Sequence, residues 1–207
     1  MKPQALRAGY ALVIVAILQS IAAWAQIDQA ISDQDLLDPW KRASAVVLSL
    51  AQSLDAVAEP VPRAQIEHEL DLLDAGLSRL QSQQETVAVR IAADPSFSYD
   101  ASVQSSEMST LVAEVAASFD ALLSDLSVGD RPDVVATRES IGRLRRILYE
   151  RNHLERDVVR ALGAGGRHEI QALAARWWDA AEAVGSVKDA IAKLRGRLTA
   201  TPDHGRN

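Results

Sequence analysis

The stretch IGRLRRILYERNHLERDVVRALGAGGRHEIQALAARWWDAAEAVGSVKDAIAKLRGRL, residues 141–198, decides the fold. Its second half carries an unbroken 3-4 apolar repeat: Ile170, Leu173, Trp177, Ala180, Val184, Val187, Ile191, Leu194 and Leu198. Apolar residues at that spacing share one face of an α-helix, so a long amphipathic helix is predicted. The first half repeats the pattern more weakly through Ile141, Leu144, Ile147 or Leu148, Leu154, Val158 and Leu162, with Arg151 where the next apolar residue would fall. Gly163-Ala164-Gly165-Gly166 joins the halves as a left-handed cap and link. Its glycines lack the strand before them and the Gly-Lys-Ser/Thr ending of a phosphate loop.

Upstream sequence reads as further helix. Asp38-Pro39 resembles a helix start, an acceptor followed by proline at the first helical position. From there Trp40, Ala43, Val47, Leu50, Leu54 and Val57 keep 3-4 spacing as far as Glu59-Pro60-Val61-Pro62. A second helix from about Pro62 to Ala93 shows heptads through Ile66, Leu70, Leu73, Leu77, Leu80, Gln84, Val87 and Ile91, with one polar layer at Gln84. Residues Pro95 to Gln104 are expected to be irregular, with Phe97 and Tyr99 available to a partner. A third helix is expected from Ser105-Ser106 through Met108, Val112, Val115, Phe119, Leu122 and Leu126 to Gly129.

β-branched residues never alternate strictly, so strands are not indicated. The expected fold class is all-α: an elongated antiparallel bundle of four long helices plus a shorter fifth, with heptad-like packing. The expected organisation is a signal peptide over 1–25, a flexible or short-helical lead over 26–38, one bundle domain over 39–198, and a disordered tail over 199–207.

The leader rests on Lys2 and Arg7 ahead of the apolar run Ala11–Leu18, and on Ala23-Trp24-Ala25, which places cleavage between Ala25 and Gln26. An uncleaved signal anchor is the competing reading, since Ala8 to Ala25 is barely long enough to span a bilayer. Cleavage implies a periplasmic or secreted protein with no stable membrane insertion. The formal net charge is −6, and losing Lys2 and Arg7 makes it more negative, which argues against nucleic acid as a partner. The absence of cysteine excludes disulfides, thiolate metal sites, covalent c-type haem and a cysteine-linked lipid anchor.

Charge is segregated along the chain. Seven acids and no lysine or arginine lie between Ile91 and Asp130, and eight arginines against five acids lie between Arg131 and Arg160. Consecutive helices with short connections become antiparallel neighbours, so the acidic third and arginine-rich fourth helices are expected to neutralise each other. Glu139–Arg143, Arg146–Glu150 and Arg151–Glu155 are also spaced to pair along one helix.

The candidate chemistry is sparse. Glu150 and His153 form a Glu-x-x-His, but di-iron bundles need a second copy, so they are weak metal candidates and no metal or other cofactor is expected. Glu67, His68, Glu69 and Asp71 could share a surface cation, although a solvated acidic face explains them equally. Trp178 is rotated by about 100° from the seam residue Trp177. It is expected at a second helix contact, in a pocket, or exposed. With Tyr149, Arg145 and Arg151 it could shape a site for an anionic or aromatic ligand. No nucleophile motif is present.

The sequence therefore points to a non-enzymatic exported bundle acting through a protein partner or self-association. A small-molecule sensor near Trp178, Tyr149 and Arg145 is the alternative, and a metal-binding bundle a remote one.

Overall fold

The computed structural model describes residues 30–54, 63–151 and 153–200. The leader with Ala25 and Gln26, the prolines after Glu59, and the tail from Thr201 lie outside the described residues, as do the side chains of Pro95 and Arg151. The chain divides into two units at Ile31, and every element below belongs to the unit beginning there.

Among the described residues six α-helices carry the fold: α1 (Asp33–Ser53), α2 (Arg63–Ala93), α3 (Ser98–Asp125), α4 (Pro132–Arg151), α5 (His153–Ala164) and α6 (Arg167–Ala200), with a 3-10 turn at Pro95–Phe97 between α2 and α3. The all-α bundle stands. The count of four long helices plus a shorter fifth does not: the expected fourth helix is two helices, and the last is the longest, at 34 residues.

The break between α4 and α5 coincides with a change of neighbours. α4 lies in the groove between α1 and α3, whereas α5 lies against α3 and α6. Arg143 of α4 meets Asp35 of α1 at 2.8 Å, and Arg131 meets Ser49 at 3.0 Å, so the two helices run antiparallel. In that register Ile31, just ahead of α1, is level with Ile147, about one turn before α4 ends. Beyond that level α1 is no longer alongside, and Leu154, Val158 and Ala161 of α5 are buried against α3 and α6 instead.

α6 is the central element. It packs on both α1 and α2, which succeed one another in the chain but are separated by it in space. Asp71–Arg195 and Gln81–Lys188 contacts set α2 antiparallel to α6. Asp33–Arg176 and Ser44–Ser186 contacts set α1 parallel to it. Burial on two sides needs a wide apolar face. The predicted seam from Leu173 to Leu198 supplies its middle, and small buried alanines widen it on both flanks, Ala174 and Ala181 on one and Ala183 and Ala190 on the other.

Helix termini account for the remaining departures. α1 starts six residues before Asp38-Pro39, because Ser32 and Asp35 form a capping box: the Ser32 hydroxyl accepts from the Asp35 N–H at 3.1 Å, and the Asp35 carboxylate accepts from the Ser32 N–H. Pro39 sits inside the helix, buried. α3 begins at Ser98 rather than Ser105-Ser106, since Asp94 caps the 3-10 turn and hands the chain directly into helix. Its hydroxyl and amide contacts from Ser96 hold the Asp94 carboxyl below its ordinary pKa. Phe97 is buried there, under the Arg90 guanidinium at 4.9 Å, while Tyr99 is 87% exposed.

At the end of α3 the Val128 N–H donates to the Leu123 carbonyl and the Ser127 N–H to the Ser124 carbonyl, the Schellman pattern, with Ser127 at φ +55° where glycine is usual. At the end of α5, Gly165 and Gly166 take positive φ as their composition predicts.

The Gln84 layer is buried, and its side-chain oxygen has no protein partner; the buried Ser105 hydroxyl has none either. Two stability outcomes follow from these termini and this layer. Ser127→Gly should raise the unfolding free energy by about 1 kcal/mol, because a β-carbon in the left-handed region costs about that much. Gln84→Leu should also stabilise, by about 1 kcal/mol, because it removes an unsatisfied buried acceptor at an otherwise apolar seam. Urea titrations of both variants check the two values, and a lower midpoint for Gln84→Leu would show that the amide has a partner in solution.

Candidate functional site

α4 presents one face to no other described helix. Val134, Thr137, Ile141, Leu144 and Leu148 are buried, and its flanks rest on α1 and α3. The outward side carries Glu139, Gly142, Arg146 and Tyr149, with Arg145 exposed at its edge beside the buried stripe. Together with Ser140 and Arg143 these line an open recess of about 890 Å³, and every described residue of that lining comes from α4.

The ion pairs explain why this face stands out. The acids of α3 turn mostly toward α2: Glu114 pairs with Arg79, Asp100 with Arg90 at 2.6 Å, and Glu107 accepts from Gln83 at 2.9 Å. Only Asp120–Arg138, at 2.6 Å, crosses from α3 to α4 among the described pairs. Arg143 turns the other way to Asp35, and Arg131 closes on Asp133. That last pair holds Arg131 above and Asp133 below their ordinary pKa values, chiefly through the hydrogen bond between them.

The acidic third and arginine-rich fourth helices are neighbours as expected, but their mutual neutralisation is largely absent. Nor does Arg143 pair with Glu139 or Arg146 with Glu150 along the helix. Glu139, Arg145 and Arg146 make no ion pair with a described residue and stand in solvent.

The structure brings Arg145 and Tyr149 together on this face, with Tyr149 72% exposed. Trp178 is on α6, 46% exposed, and is not part of the same lining, whereas Trp177 is in the core as predicted. Arg151 is the last residue of α4, its side chain outside the described residues. Glu150 is exposed and His153 half-buried at the start of α5. Among the described residues no three His, Asp or Glu side chains are grouped to hold a metal ion, and Asp71 of the acidic α2 cluster is committed to Arg195 at 2.8 Å.

A second polar feature escaped the sequence reading. Asp157 of α5 is only 6% exposed. Its carboxylate accepts from the Ile31 N–H at 3.2 Å and from Arg160 at 3.0 Å, tying the first residue of the bundle to a helix 126 residues later. Burial pushes the Asp157 pKa up, while the Ile31 N–H and the Arg176 and Arg160 charges pull against that rise. The available signal was an acid one position from Val158 inside the apolar stripe of α5.

No family model, curated protein or solved structure matches the chain. The site must therefore be read from its own chemistry.

The Asp157 link makes a pH-dependent prediction. A carboxyl whose pKa is raised on folding stabilises the fold most in acid, and loses that contribution as pH climbs from its ordinary 3.8 through the raised value. The stability of Asp157→Asn relative to wild type should accordingly improve over that interval and then level off. Asp157→Ala removes the acceptor for Ile31 and should cost about 1–3 kcal/mol at neutral pH. Chemical denaturation across pH measures both; a difference that moves the opposite way would contradict the burial argument.

Proposed function

We propose that the protein is exported, with its mature chain beginning at Gln26, and that it works in the periplasm or outside the cell by protein contact rather than by catalysis. The contact surface is the outer face of α4. One observation carries this: Arg145 and Arg146 are exposed with no ion pair to a described residue, and the aromatic ring of Tyr149 stands beside them in solvent on the lining of the same recess. Exposed aromatics and arginines are the residues that dominate binding energy when a partner buries them.

Support for the export half comes from the leader motif of the sequence. No described helix is long and apolar enough to cross a membrane. Tyr99, on the first turn of α3, offers a second exposed ring, but with Phe97 turned into the core that turn presents less apolar surface than α4.

The test is a photo-crosslinking residue at Tyr149 in cells expressing the protein, with the same residue at exposed Leu72 of α2 as the control. A discrete crosslinked species from Tyr149 and none from Leu72 is the expected result, accompanied by a purified N-terminus at Gln26. Equal, diffuse labelling from both positions would remove α4 as the contact surface.

A further inference from the structure

The outward face of α4 is patterned as well as unpaired. Val135, Glu139, Gly142, Arg146 and Tyr149 recur at 4-3-4-3 spacing, a second seam on the side away from Ile141, Leu144 and Leu148. Val135 is 40% exposed and Tyr149 72%, although both are apolar or aromatic. Gly142, midway between them, is open: a β-carbon there would meet no atom within 4 Å. A strip with an exposed valine and tyrosine at its ends, a notch at its centre and unpaired charges between them has the features of a helix–helix contact surface.

The seam carries its own complement. Val135 and Tyr149 lie seven residues either side of Gly142, and Glu139 and Arg146 lie three before it and four after it on one flank. If a second α4 is laid across the first, antiparallel, with the two Gly142 residues facing, Val135 meets Tyr149 of the other copy and Glu139 meets Arg146. A two-fold axis makes each contact twice, as an isologous interface requires. On the other flank Arg138 would face Arg145, but Arg138 is already neutralised by Asp120 at 2.6 Å. A parallel arrangement would instead stack arginine on arginine. A purely acidic partner would satisfy Arg145 and Arg146 but set its acids against Glu139.

We propose that the outer face of α4 is an antiparallel dimer interface with a second copy of this chain, centred on Gly142. The proposal rests on the reading of α4 as the contact surface and names its occupant. The strip is modest: a 20-residue helix is about 30 Å long. One helix face buries less than the roughly 800 Å² per partner of a standard interface, so the dimer is weak, with micromolar or poorer affinity.

Sedimentation velocity of the purified chain, from about 1 μM to about 1 mM, reads the equilibrium directly. Wild type should pass from monomer to dimer. Glu139→Arg alone, and Arg145→Glu with Arg146→Glu, should each weaken the dimer by about tenfold or more, since like charges then face one another. An equimolar mixture of the two reversed variants should dimerise again, because each supplies what the other lacks.

The chain has no cysteine, so Gly142→Cys reports the axis: it should form an intermolecular disulfide much faster than Gly129→Cys, a glycine away from the seam. Circular dichroism confirms that each variant is folded. A chain that stays monomeric throughout, a reversal without effect, or a mixture that fails to recover overturns the dimer. The Tyr149 crosslink separates the two failures. A crosslink to a different protein by a monomeric chain overturns the dimer but leaves the contact surface standing, and no crosslink at all overturns both.

Discussion

The two-sided burial of α6 is the constraint on which the rest of the bundle depends. A helix with a narrow apolar face needs one partner; on α6 the seam from Leu173 to Leu198 is widened by buried alanines on both flanks, so that two neighbours must cover it. Enclosing it places α1 on one side and α2 on the other, and forces α1 parallel to α6 while α2 runs antiparallel. Once α1 and α2 are apart, α3 closes on α2, α4 closes the gap between α3 and α1, and α5 fills what remains where α1 has not yet begun. Ion pairs then decorate this arrangement at its edges. Most are between exposed side chains, where each contributes about 0–1 kcal/mol, so apolar packing decides the neighbours and charge follows.

That order of importance explains what could be read in advance. The apolar repeats of α2 and α6 were legible residue by residue, because a helix seam is a local pattern and every one of Ile66, Leu70, Leu73, Leu77, Leu80, Val87 and Ile91 is buried. The alanine flanks of α6 were written in the same sequence, but alanine is as common on surfaces as in cores, and their meaning appears only when a second helix lies beside the seam. The change of neighbours from α4 to α5 was not legible, since it depends on where another helix starts. The early start of α1 was present as Ser32 and Asp35 and was outweighed by the more conspicuous Asp38-Pro39.

The candidate surface was half legible for the same reason. Arg145 and Tyr149 could be singled out as unusual residues on a loosely patterned helix. Which arginines are spent could not be known from a count of charges along the chain, because Arg79 and Arg90 on α2 take the acids that seemed reserved for α4. The leftover cations are a property of the whole packing. Trp178 was grouped with them because it is rotated off the α6 seam; it is half-exposed but does not line the α4 recess.

The contact between Ile31 and Asp157 has a consequence for the order in which the protein is made. The first helix of the bundle has no neighbour among the helices that immediately follow it; its partners are α4 and α6, and its leading amide is held by α5. α2 and α3 can pair as they emerge, but α1 must wait until almost the whole chain has left the ribosome. Contacts this distant in sequence pay a large loop-closure cost before they return anything. α1 is therefore made first among the described helices but is among the last to be fixed in place.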